Sequence, residues 1–520
     1  MNQSILTRDQ HSITAMTHID VCLDTHGMRR WHQRLLERLS ERADRIVTVT
    51  ATPAANAAPA QAELLFSLET MVHGLPRPGP ATRVEAKIAA RHLFDNPGRP
   101  DRVIDLAGAV DLEGGHVWRL EFDGVAGERG LLAAILAGRA PIATLRDGFG
   151  VIAIGRLGSE RPGIALAAFE DCLVRVTSLI LAALDGSASR RLPDEASGVP
   201  LLGLELGGAQ IGKIAAKALV GRLIRRLYHL CHFAPHWRVG WRAIQGPDVI
   251  DLRRHHDQGW TNLPDDGRRF YADPFPIQRE GVVTLFVEEF DHRLGRGVIS
   301  AAAFGPKGLL GPLEPVLDLP YHLSYPVVFE ADGETWMIPE SCAAGTIDLY
   351  RATKFPSGWV REATLVKDIV ASDATIVQHD GRWWMFATVR DDAGGAFSDC
   401  LHLWSAPDFR GPWTAHARNP VLIDIASARP AGRMVTRGGA LIRPVQDCEK
   451  GYGHALSLAR VTKLDDEGFE QTIEATLHAG PAWPGRRLHT LNSAGGYEFI
   501  DGSAHARRPA LDIFGRPAAR

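Results

Sequence analysis

Tyr271-Ala272-Asp273-Pro274-Phe275, followed by Val283-Thr284-Leu285-Phe286-Val287-Glu288-Glu289, opens a pattern that returns with variation toward the C-terminus. The second copy is Ser324-Tyr325-Pro326-Val327-Val328-Phe329, a turn at Asp332-Gly333, then Thr335-Trp336-Met337-Ile338-Pro339-Glu340. The third is Ser372-Asp373-Ala374-Thr375-Ile376-Val377, a turn at Asp380-Gly381, then Trp383-Trp384-Met385-Phe386. Weaker copies start at Gly438-Gly439-Ala440-Leu441-Ile442 and at Leu491-Asn492, the last running through Gly496-Tyr497 to Asp501. Asp-Gly between two apolar alternating runs is a strong hairpin signal. Recurrence at roughly 45–65 residues is the spacing of propeller blades. Five copies predict an all-β five-bladed propeller over 236–505, with any chemistry on its axis.

Ahead of the repeats, residues 27–190 read as alternating helix and strand. Trp31 to Leu39 has helical periodicity, as do Gly130 to Ala137 and Ala165 to Leu184. Arg45 to Thr50, Arg102 to Leu106 and Val117 to Phe122 read as strands. This alternation predicts an α/β layer with a partly parallel sheet. Residues 1–26 and 506–520 are expected to be flexible, and 191–235 to be a linker. A propeller starting near Pro235 is expected to fold alone. Within the linker, 211–233 forms a basic helix in which Lys213, Lys217, Arg222, Arg225 and Arg226 interleave with Ile211, Ile214, Leu219, Leu223, Ile224 and Leu227. Two readings stay open. The ordinary fate of such a helix is to bury its apolar face within the protein, as a connector. The other is a peripheral membrane contact that brings the protein to a lipid-linked substrate.

Composition narrows the function classes. At 520 residues the chain exceeds one ordinary core. Its 45% hydrophobic and 23% charged content is that of a soluble globular protein. A net charge of −3 gives no reason to expect a nucleic-acid partner. Six cysteines without C-x-x-C spacing argue against a disulfide framework or zinc site and fit a reducing compartment. Met1 to Leu23 has no apolar signal core, and no apolar run reaches about 18 residues, so a cytoplasmic location is expected. No metal or nucleotide motif occurs, and no cofactor is expected.

Several uncommon peptides resemble one family in order. They are Tyr271 to Phe275, His322-Leu323-Ser324-Tyr325-Pro326, Met337-Ile338-Pro339-Glu340-Ser341, Leu349-Tyr350-Arg351 with Phe355-Pro356, and Arg443 to Cys448 with Tyr452-Gly453. Over 237–505 the chain resembles the N-terminal propeller domain of plant glucosamine inositolphosphorylceramide transferases and its stand-alone bacterial relatives. It ends soon after the propeller, so the plant transfer activity is not carried over with the likeness. At the level of blades the repeats are similar to furanosidase-type glycoside hydrolases such as arabinanases, β-xylosidases and levanases. Those start with Asp-Pro on the first blade and set further carboxylates around the axis. The N-terminal half more faintly resembles the formyltransferase fold, through Pro100 to Leu106 and Trp118 to Gly124. That family uses an Asn, a His in a His-x-Ser-Leu-Leu-Pro-like peptide and an Asp. Leu120 to Leu132 has neither the His nor the Pro, so the domain is expected to be degenerate.

Glycosyl cleavage or transfer passes through an oxocarbenium-like transition state flanked by two carboxyl groups. Asp273, Glu340 and Asp373 lie in three successive repeats and are the candidate catalytic residues. The resemblance implies a base or nucleophile at Asp273. Glu340 follows the apolar run Trp336-Met337-Ile338-Pro339, which can desolvate it and raise its pKa as a general acid requires. Asp373 holds in its repeat the offset of Asp273 and would tune the other two. Tyr271, His322 and Tyr325 are candidate substrate-binding residues at the funnel. Arg437, Arg443 and Gln446 of the fourth repeat join them, suited to a phosphate or carboxylate on the substrate. His489, Asn492 and Asp501 read as structural closure of the ring. The fourth repeat carries no Glu at its innermost position, a departure from several similar hydrolases that puts plain hydrolysis in doubt. The leading expectation is a carbohydrate-active enzyme of cell-surface glycan or glycolipid biosynthesis that acts on a carbohydrate or lipid-linked sugar. The alternatives are a non-catalytic glycan- or head-group-binding module beside a glycosyltransferase, and a sugar N-formyltransferase.

Overall fold

The computed structural model describes residues 16–508 apart from 86, 88–97, 113, 195, 197, 201–206, 482 and 484. Five antiparallel sheets form the blades of a propeller. Blade 1 runs outward from Arg269–Arg279 through Val282–Asp291 and Arg296–Gly305. Blade 2 starts at Ser324–Ala331 and blade 3 at Ala371–His379. Blade 5 is closed from both ends of the domain. Its innermost strand Leu491–Ala494 pairs with Tyr497–Ser503, which in turn pairs with Trp237–Ala243, a strand that precedes blade 1 in the chain. This pairing leaves no open edge between first and last blades.

Blade 4 departs from the sequence reading by one strand. Gly438 and Gly439, both at positive φ, make its first turn, and the innermost strand is the three-residue Val435–Arg437. Ala440–Asp447 is therefore the second strand. Three residues are too few to show alternation, which is why the repeat was read from the next strand out.

One local device recurs where the innermost strands begin. Register shifts fall between Ala272 and Phe275, Ser324 and Val327, and Ser372 and Thr375. Within each bulge one residue sits in the left-handed region: Asp273 at φ 51°, Tyr325 at 43° and Asp373 at 56°. A bulge with a left-handed residue re-aims a side chain, and Asp tolerates that conformation better than most residues.

The α/β layer is a mixed sheet. Its order is Arg45–Ala51, Thr17–Leu23, Arg102–Asp105, Val117–Phe122, Ile142–Arg146 and Val151–Arg156. The first four are parallel and the last two antiparallel. Thr17–Leu23, expected within a flexible 1–26, is instead a largely buried strand of this sheet. Val-Cys-Leu at its end supplies the apolar run that a covered parallel strand needs. Residues 1–15 and 509–520 lie outside the described residues, while Ala506–Arg507 of the expected flexible tail pairs with His232–Phe233. Helix Ala165–Leu184 is buried along most of its length because it packs on the sheet and also reaches the propeller.

That junction is charged, and its central pairs are buried. Arg175 is 1% exposed and meets Asp399, itself fully buried, at 2.8 Å. Arg156 reaches Asp424 at 2.8 Å and Glu449 at 2.8 Å. Glu160 accepts from the Phe397 amide at 2.9 Å and the Ser398 hydroxyl at 3.0 Å. Ile423 and Cys400 of blade 3 belong to the α/β core. A propeller cut free near Pro235 would lose these partners, which runs against the expectation that it folds alone.

The basic helix spans Gly208–Cys231. Of its residues only Ile211 is buried. Leu219, Val220, Leu223, Ile224, Leu227 and Leu230 are each more than half exposed. The connector reading, in which the apolar face packs into the protein, is corrected on this point. No described helix is long and apolar enough to cross a membrane.

Candidate active site

The bulges build a carboxylate ring from the backbone upward. The Asp273 amide donates to Asp501 Oδ2 at 2.8 Å, the Tyr325 amide to Asp273 Oδ2 at 3.1 Å, and the Asp373 amide to Glu340 Oε2 at 3.1 Å. In each case the inner-strand bulge of one blade holds a carboxylate of the blade before it. The second strands end in register with these bulges: Ala272 pairs with Glu288, Ser324 with Glu340 and Ser372 with Thr388. Strand alternation then sends Glu288 toward the axis and its neighbour Glu289 outward, to Ser300 and Arg269.

Asp273 is 4% exposed. Its Oδ1 accepts from the Thr490 hydroxyl at 3.0 Å and faces His489 Nδ1 at 3.3 Å. His489 also meets Asp501 at 3.0 Å, and Tyr452 hydrogen-bonds its other ring nitrogen. Burial raises the Asp273 pKa and the His489 charge opposes that, leaving it at about 6. Burial works against a charged His489, yet Asp501 and Asp273 outweigh it and lift the imidazole to about 9. Such a raised value contributes stability below the ordinary histidine pKa, and that stability is lost as pH rises through 9. Asp273, His489 and Asp501 have ligand atoms all within 4.8 Å of one another, a spacing that can hold a cation. Here the imidazolium supplies the positive charge between the two carboxylates.

Glu340 is 10% exposed and lies 3.8 Å from Arg429. Burial first, then Asp373, raises its pKa to about 8, with Arg429 opposing. Glu288 is pushed well up by burial and by the surrounding carboxylates. Asp373 is ion-paired to Arg429 Nε at 2.6 Å and accepts from Gln446 at 3.0 Å. Arg429 stacks over Tyr452 at 4.7 Å and donates to Ser398 at 3.2 Å. The funnel thus sets Asp273 beside a cation, which favours its ionised form, and holds Glu340 and Glu288 where burial and neighbouring carboxylates favour the protonated form. That division is what acid–base chemistry at a leaving group needs.

The structure brings Asp273, Glu340, Asp373 and Gln446 together. His322 stands at the rim, its Nε2 3.5 Å from Glu288 and its side chain 37% exposed. Four other expected contacts lie elsewhere. Tyr271 alternates away from the axis into the apolar core between blades 1 and 5. Tyr325 is fully buried below the ring, its hydroxyl bound to Thr375 and the Gly432 amide, so its ring has no free face for a sugar. Arg437 pairs with Asp248 and Asp251 at the outer surface. Arg443 is spent on the Ser427 carbonyl and Gln471. Asn492 bridges Pro274 and Arg433 and closes the ring. His489 and Asp501, read as closure too, instead flank Asp273. Sequence reasoning missed Glu288, Arg429, Tyr452 and Thr490. Asp123 of the α/β layer is committed to Arg139 and the Ile142 amide.

With this geometry in view, residues 262–496 match the family model described as glucosamine inositolphosphorylceramide transferase 1, N-terminal. The glucosamine inositolphosphorylceramide transferase 1 of Oryza sativa subsp. japonica is 35% identical over 232 residues, 43% of this chain and 31% of that protein. The Arabidopsis thaliana protein of the same name is 33% identical over 228 residues, 42% of this chain and 30% of its own. The matched part thus spans about a third of these relatives. Among solved structures, a family 117 glycoside hydrolase of Zobellia galactanivorans is 12% identical with a TM-score of 0.34, covering 51% of this chain and 90% of its own. A family 43 β-xylosidase/α-arabinofuranosidase from a compost metagenome is 13% identical with a TM-score of 0.33, covering 46% and 88%.

Proposed function

We propose that this protein is a carbohydrate-active enzyme of glycan or glycolipid metabolism that cleaves or transfers a glycosyl unit in the propeller funnel. One arrangement carries the reading: Asp273 and Glu340 come from adjacent blades into one nearly buried ring, Asp273 against the His489 imidazole and Glu340 beside Asp373 and Arg429. Burial raises both carboxyls, and the His489 charge holds Asp273 lower, at about 6, than Glu340, at about 8. In the proposed reaction Glu340 gives its proton to the leaving oxygen as the glycosidic bond breaks. Asp273 either attacks the anomeric carbon or takes a proton from the attacking hydroxyl or water. Asp373 and Arg429 set the field around Glu340, and His489 with Thr490 holds Asp273 in place. The names of the plant relatives support a lipid-linked sugar as the substrate class. The α/β layer enters the proposal as a formyltransferase-like but non-catalytic domain, and formyl transfer from a folate donor is expected to be undetectable.

The test uses leaving groups. Glu340→Gln should slow substrates with poor leaving groups by about 10²–10⁴-fold and barely affect those with acidic, activated ones, since only the former need the proton. Equal loss on both classes would remove Glu340 from the acid role.

A further inference from the structure

We propose that the Gly208–Cys231 helix docks this protein on an anionic lipid surface. Three observations combine. At ~100° per residue, Leu219, Leu230, Leu223, Leu227, Val220 and Ile224 sweep one contiguous arc of about 140°. Each of these six is between 53% and 59% exposed, so among the described residues the arc is an uncovered apolar stripe rather than scattered surface residues. Over the first four turns the opposite side faces the protein, while Arg225 and His229 farther along that side are exposed. Ile211 is buried, Ile214 packs on the α/β core, and Arg222 donates to the Val72 carbonyl.

Charge selects the occupant. The same helical projection puts Arg226 just beyond one edge of the stripe and Lys217 just beyond the other, with Lys213 at the Lys217 side, between Val220 and Ile224. The helix contains no Asp or Glu at all. Apolar residues between two basic flanks are the pattern of a helix lying in the interface of an anionic bilayer. A second copy of the chain is a poorer fit, because a two-fold contact would bring the cations of both helices together with no carboxylate between them.

Position ties the helix to the funnel. Near its C-terminal end Tyr228 stacks on His232 at 4.5 Å, and the adjoining Phe233 stacks on His292 of blade 1 at 4.4 Å. His292 contacts Phe290 at 5.6 Å, which contacts the rim residue His322 at 6.0 Å. His322 faces Glu288 in the carboxylate ring. These contacts link the C-terminal end of the helix to the funnel rim, and docking by the helix brings the protein to a surface that holds lipid-anchored molecules, which raises their local concentration. The docking itself does not depend on the chemistry assigned to the funnel.

The experiment is co-sedimentation of the full chain with vesicles of phosphatidylcholine alone or mixed with phosphatidylglycerol. Binding is expected on the mixed vesicles, at least about tenfold weaker on phosphatidylcholine alone, and weakened by salt. Leu223→Asp with Leu227→Asp should abolish it. Lys217→Glu with Arg226→Glu should weaken it without touching the apolar stripe. All four side chains lie on the helix surface, so melting temperatures should match wild type. No binding to the mixed vesicles at low salt, or equal binding by wild type and the Leu223/Leu227 variant, overturns the proposal. So does a concentration-dependent dimer that the Leu223/Leu227 variant dissolves, because the stripe would then belong to a second copy.

Discussion

Asp273→Asn is expected to lower turnover of the native substrate by at least about a thousandfold while leaving the fold intact. The change is nearly isosteric. The remaining amide oxygen can still accept one of the two bonds now made by Thr490 and the Tyr325 amide. What disappears is the charge that attacks or abstracts a proton. A second signature follows from the ring. Asp273 is one of the charges that raise the pKa of His489 and of Glu340, so both should titrate lower in the variant. Rates on the native substrate and thermal melts together make the test. A variant that melts normally and keeps its rate would take Asp273 out of the chemistry.

Arg175→Met is expected to destabilise the protein by about 3–5 kcal/mol, since it leaves the buried Asp399 carboxylate without its cation. The geometry is close: Arg175 Nε donates to Asp399 Oδ1 at 2.9 Å, and Asp399 Oδ2 accepts from the Gly158 amide at 3.0 Å. Adding Asp399→Asn should recover part of the loss, because the orphaned charge is then gone. Denaturant midpoints of the single and double variants measure this. An Arg175→Met midpoint equal to wild type would mean that water reaches Asp399. The same junction reaches the funnel through Glu160, Ser398 and Arg429, so a loosened α/β layer should also lower activity.

Much of the propeller was legible because a hairpin leaves a local mark: Asp-Gly between apolar runs, at a regular spacing. Asp273, Glu340 and Asp373 were found through their fixed offsets from those marks. Glu288 occupies in blade 1 the place that Glu340 occupies in blade 2, but the doublet Glu288-Glu289 hides which carboxyl faces inward until the register is known. Arg429 comes from a loop without a counterpart in the other repeats. Alternation turns Tyr271 away from the funnel, and Arg437 stands at the turn end of its short strand, where Asp248 and Asp251 hold it. The junction between the two domains left no mark, since Arg156 and Asp424 are 268 positions apart. The periodicity of the 211–233 helix was plain in the sequence. Periodicity says that one face is apolar, not what covers it.

The pH dependence of kcat/KM for wild type and Glu340→Gln tests the division of labour between the two carboxyls most directly. Wild type should follow a bell, its acid limb near the Asp273 value of about 6 and its alkaline limb near the Glu340 value of about 8. The sign is set by the roles: activity rises as Asp273 loses its proton and falls as Glu340 loses the proton it must donate. Glu340→Gln should keep the acid limb and lose the alkaline one. A wild-type profile that stays flat through both limbs, or an alkaline limb that survives in Glu340→Gln, would contradict the assignment.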